Sequence, residues 1–269
     1  MTSPSQNSKL KTMLAKLVRA KPELIDVDTA SQVWNLDRDK TVWYLYSLCK
    51  QGWLSRVKRG HYLAVDIATD SKTPTLDQPW AVITELFAPC YMAGWTAAEY
   101  WGLTDQIFNT ILVATSQSIS KREHHYSGID YSLTSVQESS LFGTKRVWQG
   151  RVKTQVSDPS KTIVDMFNKP DWGCGMYQVL EFYQNYLHSK HKDIDLLISY
   201  ALKVNNGTVF KRLGFITEKF FPEEELIIET ALKNLTKGYS ALDPKLPKDK
   251  IIYRWKLWLP EDWTKEMSL

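Results

Sequence analysis

The residues best suited to chemistry lie between positions 37 and 65, and that chemistry is recognition of a polyanion. Arg38, Lys40, Thr41 and Tyr44 open a helix-forming run, and Arg56, Lys58, Arg59 and His61 follow in a short basic segment. Their guanidinium, ammonium, hydroxyl and imidazole groups can meet phosphate oxygens or the base edges of a DNA groove. A recognition helix reads bases with residues near its N-terminal end. This singles out Arg38, Lys40, Thr41 and Tyr44, with Ser47 continuing their face and Trp43 beside it. The residues Arg56, Lys58, Arg59 and His61 are suited to phosphates or an adjacent minor groove. Trp43 and Tyr44 could contact sugars and methyl groups, or could pack against the basic segment.

Positioning these groups requires a particular set of elements. Residues 9–19 predict a helix, with Leu10, Met13, Leu14, Leu17 and Val18 on one stripe, ended by Pro22. Asp28 is the expected cap of a short helix over 29–34. Asn35-Leu36 then makes a turn, and Asp37 caps a third helix. On that helix the spacing predicts Val42, Leu45, Tyr46 and Cys49 facing inward, with Leu48 at the edge, and Lys40, Tyr44, Ser47 and Gln51 facing outward. Gly52 stops the helix. Residues 54–57 and 61–65 pair as strands across Lys58-Arg59-Gly60, where glycine suits the tight turn. Three helices followed by a basic hairpin predict a winged helix-turn-helix over residues 1–66.

The charge distribution agrees with this placement. The 269 residues carry a formal net charge of only +4. Residues 1–65 hold 11 Lys/Arg against 5 Asp/Glu, whereas the remainder holds 23 against 25. A polyanion partner is therefore expected for the first segment and not for the rest. Winged helices also serve as protein-interaction modules, and charges of this kind also occur simply as a solvated face.

Residues 67–79, rich in Thr, Asp and Pro, predict a linker, and residues 80–269 a second, larger domain. There the pattern predicts a helix over 80–87, a strand over 90–93, a short helix over 96–101 and a strand over 110–115. Further strands are expected over 126–136 and 145–156. Ser157-Asp158-Pro159 starts a helix that continues over 161–167. Helices over 177–188, 194–204, 207–213 and 223–235, and a final strand over 251–259, complete the pass. The expected fold class is α+β: an N-terminal winged helix-turn-helix, then a larger mixed α/β domain with a mainly helical second half.

Other chemistries find little support in the residue types. Cys49, Cys90 and Cys174 are spaced for neither a zinc site nor a disulfide framework. The adjacent His124-His125 pair cannot readily place two ligands on one metal without other donors. Asp158 reads as a helix cap, and Asp165, among apolar neighbours, as the partner of a base. Glu223-Glu224-Glu225 opens a helix, where the dipole favours negative charge. There is no phosphate-binding glycine loop, triad order or metal cluster, so no catalytic residue, metal or cofactor is expected. No apolar run approaches a membrane span, and the N-terminus lacks the apolar core of a signal peptide. A cytoplasmic protein is expected.

Several segments in order resemble the AbiEi family of antitoxins and transcriptional regulators. They are Arg59-Gly60-His61-Tyr62, then 91–106 with Gly102-Leu103-Thr104-Asp105-Gln106, then 156–167 (VSDPSKTIVDMF), then Arg212-Leu213-Gly214-Phe215. The resemblance spans about residues 10 to 260. It implies an N-terminal winged helix-turn-helix that represses the operon encoding the protein and a cognate toxin, by binding inverted repeats in their promoter. It further implies a C-terminal antitoxin region. The toxin would be similar to a nucleotidyltransferase and would be opposed without a stable complex, as in type IV toxin-antitoxin pairs acting in abortive infection against phage.

Overall fold

A computed structural model describes residues 4–20, 24–65, 79–126, 128–149, 152–261 and 263. Pro22, the expected helix stop, and residues 67–78 of the expected linker lie outside the described residues. In chain order the elements begin with α1 (Pro4–Ala20), β1 (Ile25–Asp26), α2 (Val27–Trp34), α3 (Arg38–Lys50), β2 (Leu54–Lys58) and β3 (His61–Ala64). There follow α4 (Pro79–Phe87), β4 (Cys90–Met92), α5 (Gly94–Tyr100), β5 (Thr110–Thr115), β6 (Glu123–Tyr126), β7 (Ile129–Ser135), β8 (Thr144–Gln149) and β9 (Val152–Ser157). The chain continues with α6 (Pro159–Asn168), α7 (Met176–His188), α8 (Ile194–Val204), α9 (Gly207–Phe220) and α10 (Glu225–Lys233). It closes with β10 (Ser240–Ala241), β11 (Lys250–Ile252) and β12 (Leu257–Leu259). The fold is mixed α+β, and its second half is mainly helical.

Contacts divide the chain into two compact units. The first comprises Met1–Ala88, Ser120–Ser132 and Trp148–Thr154, and the second comprises Pro89–Ile119, Leu133–Val147 and Gln155–Leu269.

In the first unit, helical spacing turns Leu10, Leu14 and Leu17 of α1 into a core with Ala30, Leu45, Leu48 and Leu54. The cap of α2 is Asp26, not the expected Asp28. Its carboxylate accepts from the Thr29 amide at 2.7 Å and the Thr29 hydroxyl at 2.8 Å. The reason is β1, a strand absent from the sequence reading. Pairing with β3 holds Asp26 extended, as a cap must be, and the helix starts one residue later. Asn35, in the left-handed region at φ 50°, closes α2. Asp37 caps α3, accepting from the Lys40 amide at 2.9 Å. Asp37→Ala should cost about 1 kcal/mol of stability, measured by urea unfolding.

The end of α3 is tied off by Trp53 N–H to Leu48 O and Gly52 N–H to Cys49 O, both at 3.0 Å, with Gly52 at φ +74°. The chain then forms an antiparallel sheet of order β1-β3-β2. Arg56 pairs with Tyr62 and Lys58 with His61, across an irregularity between Arg56 and Lys58. Also in this unit, β6 pairs antiparallel with residues 129–132 of β7, and the Tyr131 hydroxyl donates to Pro79 O at 3.1 Å.

In the second unit the strand order is β7-β5-β4-β9-β8. Strand β4 runs antiparallel to β5 and parallel to β9, with Met92 facing both Val113 and Val156. Two expected strands are in fact pairs. The run over 145–156 divides into β8 and β9. The run over 251–259 divides into β11 and β12, at a turn with Lys256 at φ 52°. In the second of these runs alternation continues through the turn, so periodicity alone does not reveal it.

Helix α6 begins as expected, with Asp158 accepting from the Lys161 amide at 2.9 Å and Pro159 in the first turn. It is surrounded by α5, α7, α8 and α9 and is buried over most of its length. Within this setting Lys161 forms an ion pair with Asp165 one turn on. The Tyr91 hydroxyl donates to the other Asp165 oxygen at 2.9 Å and accepts from Lys161 Nζ at 3.3 Å. Burial, with the Asp165 charge beside it, holds the Tyr91 phenol well above its usual range.

Arg212 of α9 spans the gap to its neighbours. It donates to Phe167 O and Asn168 O at 2.8 and 3.0 Å, and twice to Ala241 O. Burial pulls its guanidinium down to about 10, still far above neutral pH. Helix α9 runs past the expected end at Leu213, through Gly214, against which the Trp255 ring is packed.

Candidate nucleic-acid interface

The exposed side of α3 and the β2–β3 hairpin hold the sequence-predicted residues, and the structure sorts them unevenly. The helix is rotated by about one residue from the expected phase. Thr41, Leu45 and Leu48 face the core, whereas Val42, Trp43 and Tyr46 are 41, 52 and 57 % exposed. Val42 and Tyr46 therefore point outward instead of inward.

Thr41 is fully buried and its hydroxyl donates to Asp37 O at 2.8 Å, so it presents no group to a ligand. Its place is fixed by the cap. With Asp37 at the cap, Thr41 is the fourth helical residue, the position that packs back against the residue preceding the cap. That cap was legible and could have set the phase. The core-facing spacing 41, 45, 48 competes with 42, 45, 46, 49, and both suit a helix.

Tyr44 is half-buried. Its ring lies edge-on to Trp34 and Trp43, at 6.1 and 4.9 Å between centroids, and its hydroxyl accepts from Lys9 Nζ at 3.2 Å. Of the two roles open to Tyr44, packing is occupied, although the partners are helices α1 and α2 and not the hairpin. Trp43 meets that cluster only through the Tyr44 ring and otherwise faces outward. The Ser47 hydroxyl donates to Trp43 O at 2.9 Å within the helix.

The cations are exposed. Arg38 pairs with Asp28, and Lys40 with Asp37 at 2.8 Å. The hydrogen bond between Lys40 and Asp37 lowers the carboxyl and raises the ammonium from their ordinary values. Both pairs are solvent-screened and hold these bases only loosely, so an incoming phosphate could displace the carboxylates. On the hairpin, Arg56 Nε donates to Lys58 O at 3.4 Å, and the Lys58 ammonium lies 5.1 Å above the Phe87 ring. Arg59 stands at the tip, exposed and with no ion pair among the described residues. His61 Nδ1 is 3.2 Å from Arg59 O.

Lys50, 5.4 Å above the Tyr46 ring, belongs to the same exposed side and was missed. Its signal was the correct phase: Val42, Trp43, Tyr46 and Lys50 form one stripe. Burial raises the Cys49 thiol above its usual value, which leaves it a packing group.

The surface can donate hydrogen bonds to an extended anion from Arg38, Lys40, Lys50, Arg56, Lys58 and Arg59. It can also offer apolar contact from Val42, Trp43 and Tyr46. Among the described residues, no group of three or more His, Cys, Asp or Glu could hold a metal ion, and no helix is long and apolar enough to cross a membrane. No protein-family model matches the chain, and no curated protein matches it.

Proposed function

We propose that the protein is a DNA-binding antitoxin and transcriptional regulator similar to the AbiEi family. Helices α1 to α3 with the β2–β3 hairpin act as a winged helix-turn-helix. The supporting observation is the exposed side of α3, which carries Lys40 and Lys50, together with a hairpin bearing Arg56, Lys58 and Arg59. In this reading α3 enters the major groove. Lys40 reaches base edges, and Val42, Trp43 and Tyr46 supply apolar contact, for which the thymine methyl is the natural target. Arg56, Lys58 and Arg59 neutralise phosphates. The double-stranded target is a set of inverted repeats in the protein's own promoter. The remainder of the chain opposes a nucleotidyltransferase-like toxin in the cytoplasm, without a stable complex. This reading assigns the protein no catalytic role and no cofactor.

Gel-shift titration with the promoter tests it. If about four phosphates are neutralised per protomer, log K should fall against log salt with a slope of about −4. Trp43→Ala should lower promoter affinity by about 1–3 kcal/mol, and Arg59→Ala should weaken all sequences alike. Absence of a shift, or a shift insensitive to salt, would overturn the reading.

One observation favours a second reading, a module that binds a protein partner directly. Val42, Trp43 and Tyr46 form an exposed apolar stripe on α3, and aromatic residues are enriched at protein interfaces. Loss of partner capture in Trp43→Ala, with no promoter binding by the parent protein, would select it.

A further inference from the structure

The second unit holds a polar cavity of about 320 Å³. The Lys161–Asp165–Tyr91 cluster lies in its wall, with Asn168, Lys169 and Ser140. Lys161 is only 1 % exposed. A buried ion pair adds little stability over apolar residues of the same volume. Here the pair lines a cavity, and its bonding capacity is not exhausted.

An ammonium has three N–H donors, and among the described residues Lys161 uses two of them, on Asp165 and Tyr91. Among the described residues each Asp165 oxygen accepts one side-chain bond, from Lys161 or Tyr91, although a carboxylate has about four acceptor sites. The Asn168 carbonyl accepts from Asn206 Nδ2 at 2.8 Å, which leaves its amide N–H groups as donors. Lys169 adds a second cation, 4.6 Å above the Trp172 ring. The lining residues therefore bring two ammonium groups, a carboxylate and neutral donors and acceptors to one cavity.

We propose that this cavity binds a small polyhydroxylated anion of the sugar-phosphate class. Lys161 and Lys169 attract the anionic group, and Asp165 and Asn168 bond the hydroxyls. The volume lies at the lower end of the roughly 300–1,000 Å³ range of small-molecule pockets. That suits one sugar ring with one phosphate. The carboxylate argues against a site for a bare anion, which it would repel, and for a ligand that also offers hydroxyl donors. This site is independent of DNA recognition by α3.

Titration calorimetry of the full chain with ribose 5-phosphate, ribose and inorganic phosphate tests the proposal. Ribose 5-phosphate should bind at least tenfold more tightly than either of the others. Lys161→Met should abolish that binding. Ser140→Glu, which sets a carboxylate in the wall while leaving the buried cluster intact, should weaken it at least tenfold with an unchanged circular dichroism spectrum. Ser140→Glu alone decides the matter if Lys161→Met fails to fold. The proposal is overturned if ribose 5-phosphate gives no heat at millimolar concentration, if inorganic phosphate binds as tightly, or if folded Ser140→Glu binds like the parent.

Discussion

Lys161→Met is expected to cost about 3–5 kcal/mol of unfolding free energy, the usual penalty for removing one partner of a buried ion pair. The arrangement accounts for the size. Lys161 and Asp165 are both buried, and among the described residues the only other side-chain bond to the carboxylate comes from the Tyr91 hydroxyl. Methionine fills much the same space but leaves the Asp165 charge without its counter-ion. The lysine ammonium also lies 4.8 Å above the Phe142 ring and 5.3 Å above that of Tyr91, contacts that disappear with it. The same physics predicts a rescue. Lys161→Met combined with Asp165→Leu removes both charges and should recover most of the loss. Urea unfolding followed by circular dichroism checks both variants. A single-mutant loss below about 1 kcal/mol would show that the pair is not buried as described.

Gly214→Ala sets two effects against each other, and their magnitudes decide the sign. Helix propensity favours alanine by about 1 kcal/mol at an interior position. A Cβ at this site, however, would lie 2.0 and 2.3 Å from ring carbons of Trp255 and 2.7 Å from the Ala231 Cβ. Trp255 cannot easily retreat. It is fully buried, and its Nε1 donates to Glu218 Oε2 at 2.5 Å. Overpacking a tight core typically costs 1–3 kcal/mol, occasionally more, and a contact of 2.0 Å belongs at the upper end. The expected net loss is about 2–3 kcal/mol in the same urea assay. Trp255→Phe should relieve the clash, so Gly214→Ala should be far milder in that background. A stabilised Gly214→Ala would mean that propensity outweighs the clash and that α9 and Trp255 are less tightly packed than described.

Much of this architecture is legible from local signals. Asp37 and Asp158 cap their helices because a short carboxylate followed by a helical run has few better uses. Strand β5 over Thr110–Thr115 and helix α8 over Ile194–Val204 match the pattern reading residue for residue. What sequence cannot show is set by partners distant in the chain. Strand β1 has only two residues and exists because β3 lies beside it. Gly214 reads as a helix breaker until Trp255 explains it. Asp165 reads as the partner of some base, and helical spacing already offers Lys161 one turn earlier, but only the fold adds Tyr91, 74 residues away. On α3 the failure was one of phase. Two inward stripes fit the residue types equally well, and only the position of the Asp37 cap, not the apolar spacing, distinguishes the one that turns Val42, Tyr46 and Lys50 outward.

The division into two units bears on how the gene could be rearranged. The chain passes between the units at 88/89, 119/120, 132/133, 147/148 and 154/155. A cut in the segment over 67–79 therefore yields no clean module, because the fragment beyond it keeps Ser120–Ser132 and Trp148–Thr154 of the first unit. It would also part β6 and residues 129–132 of β7 from most of the unit to which they belong. Recombination at one crossover cannot exchange this unit between proteins as it would a bead on a string. Its helices and hairpin can diversify by point substitution, but inheritance should keep both units together.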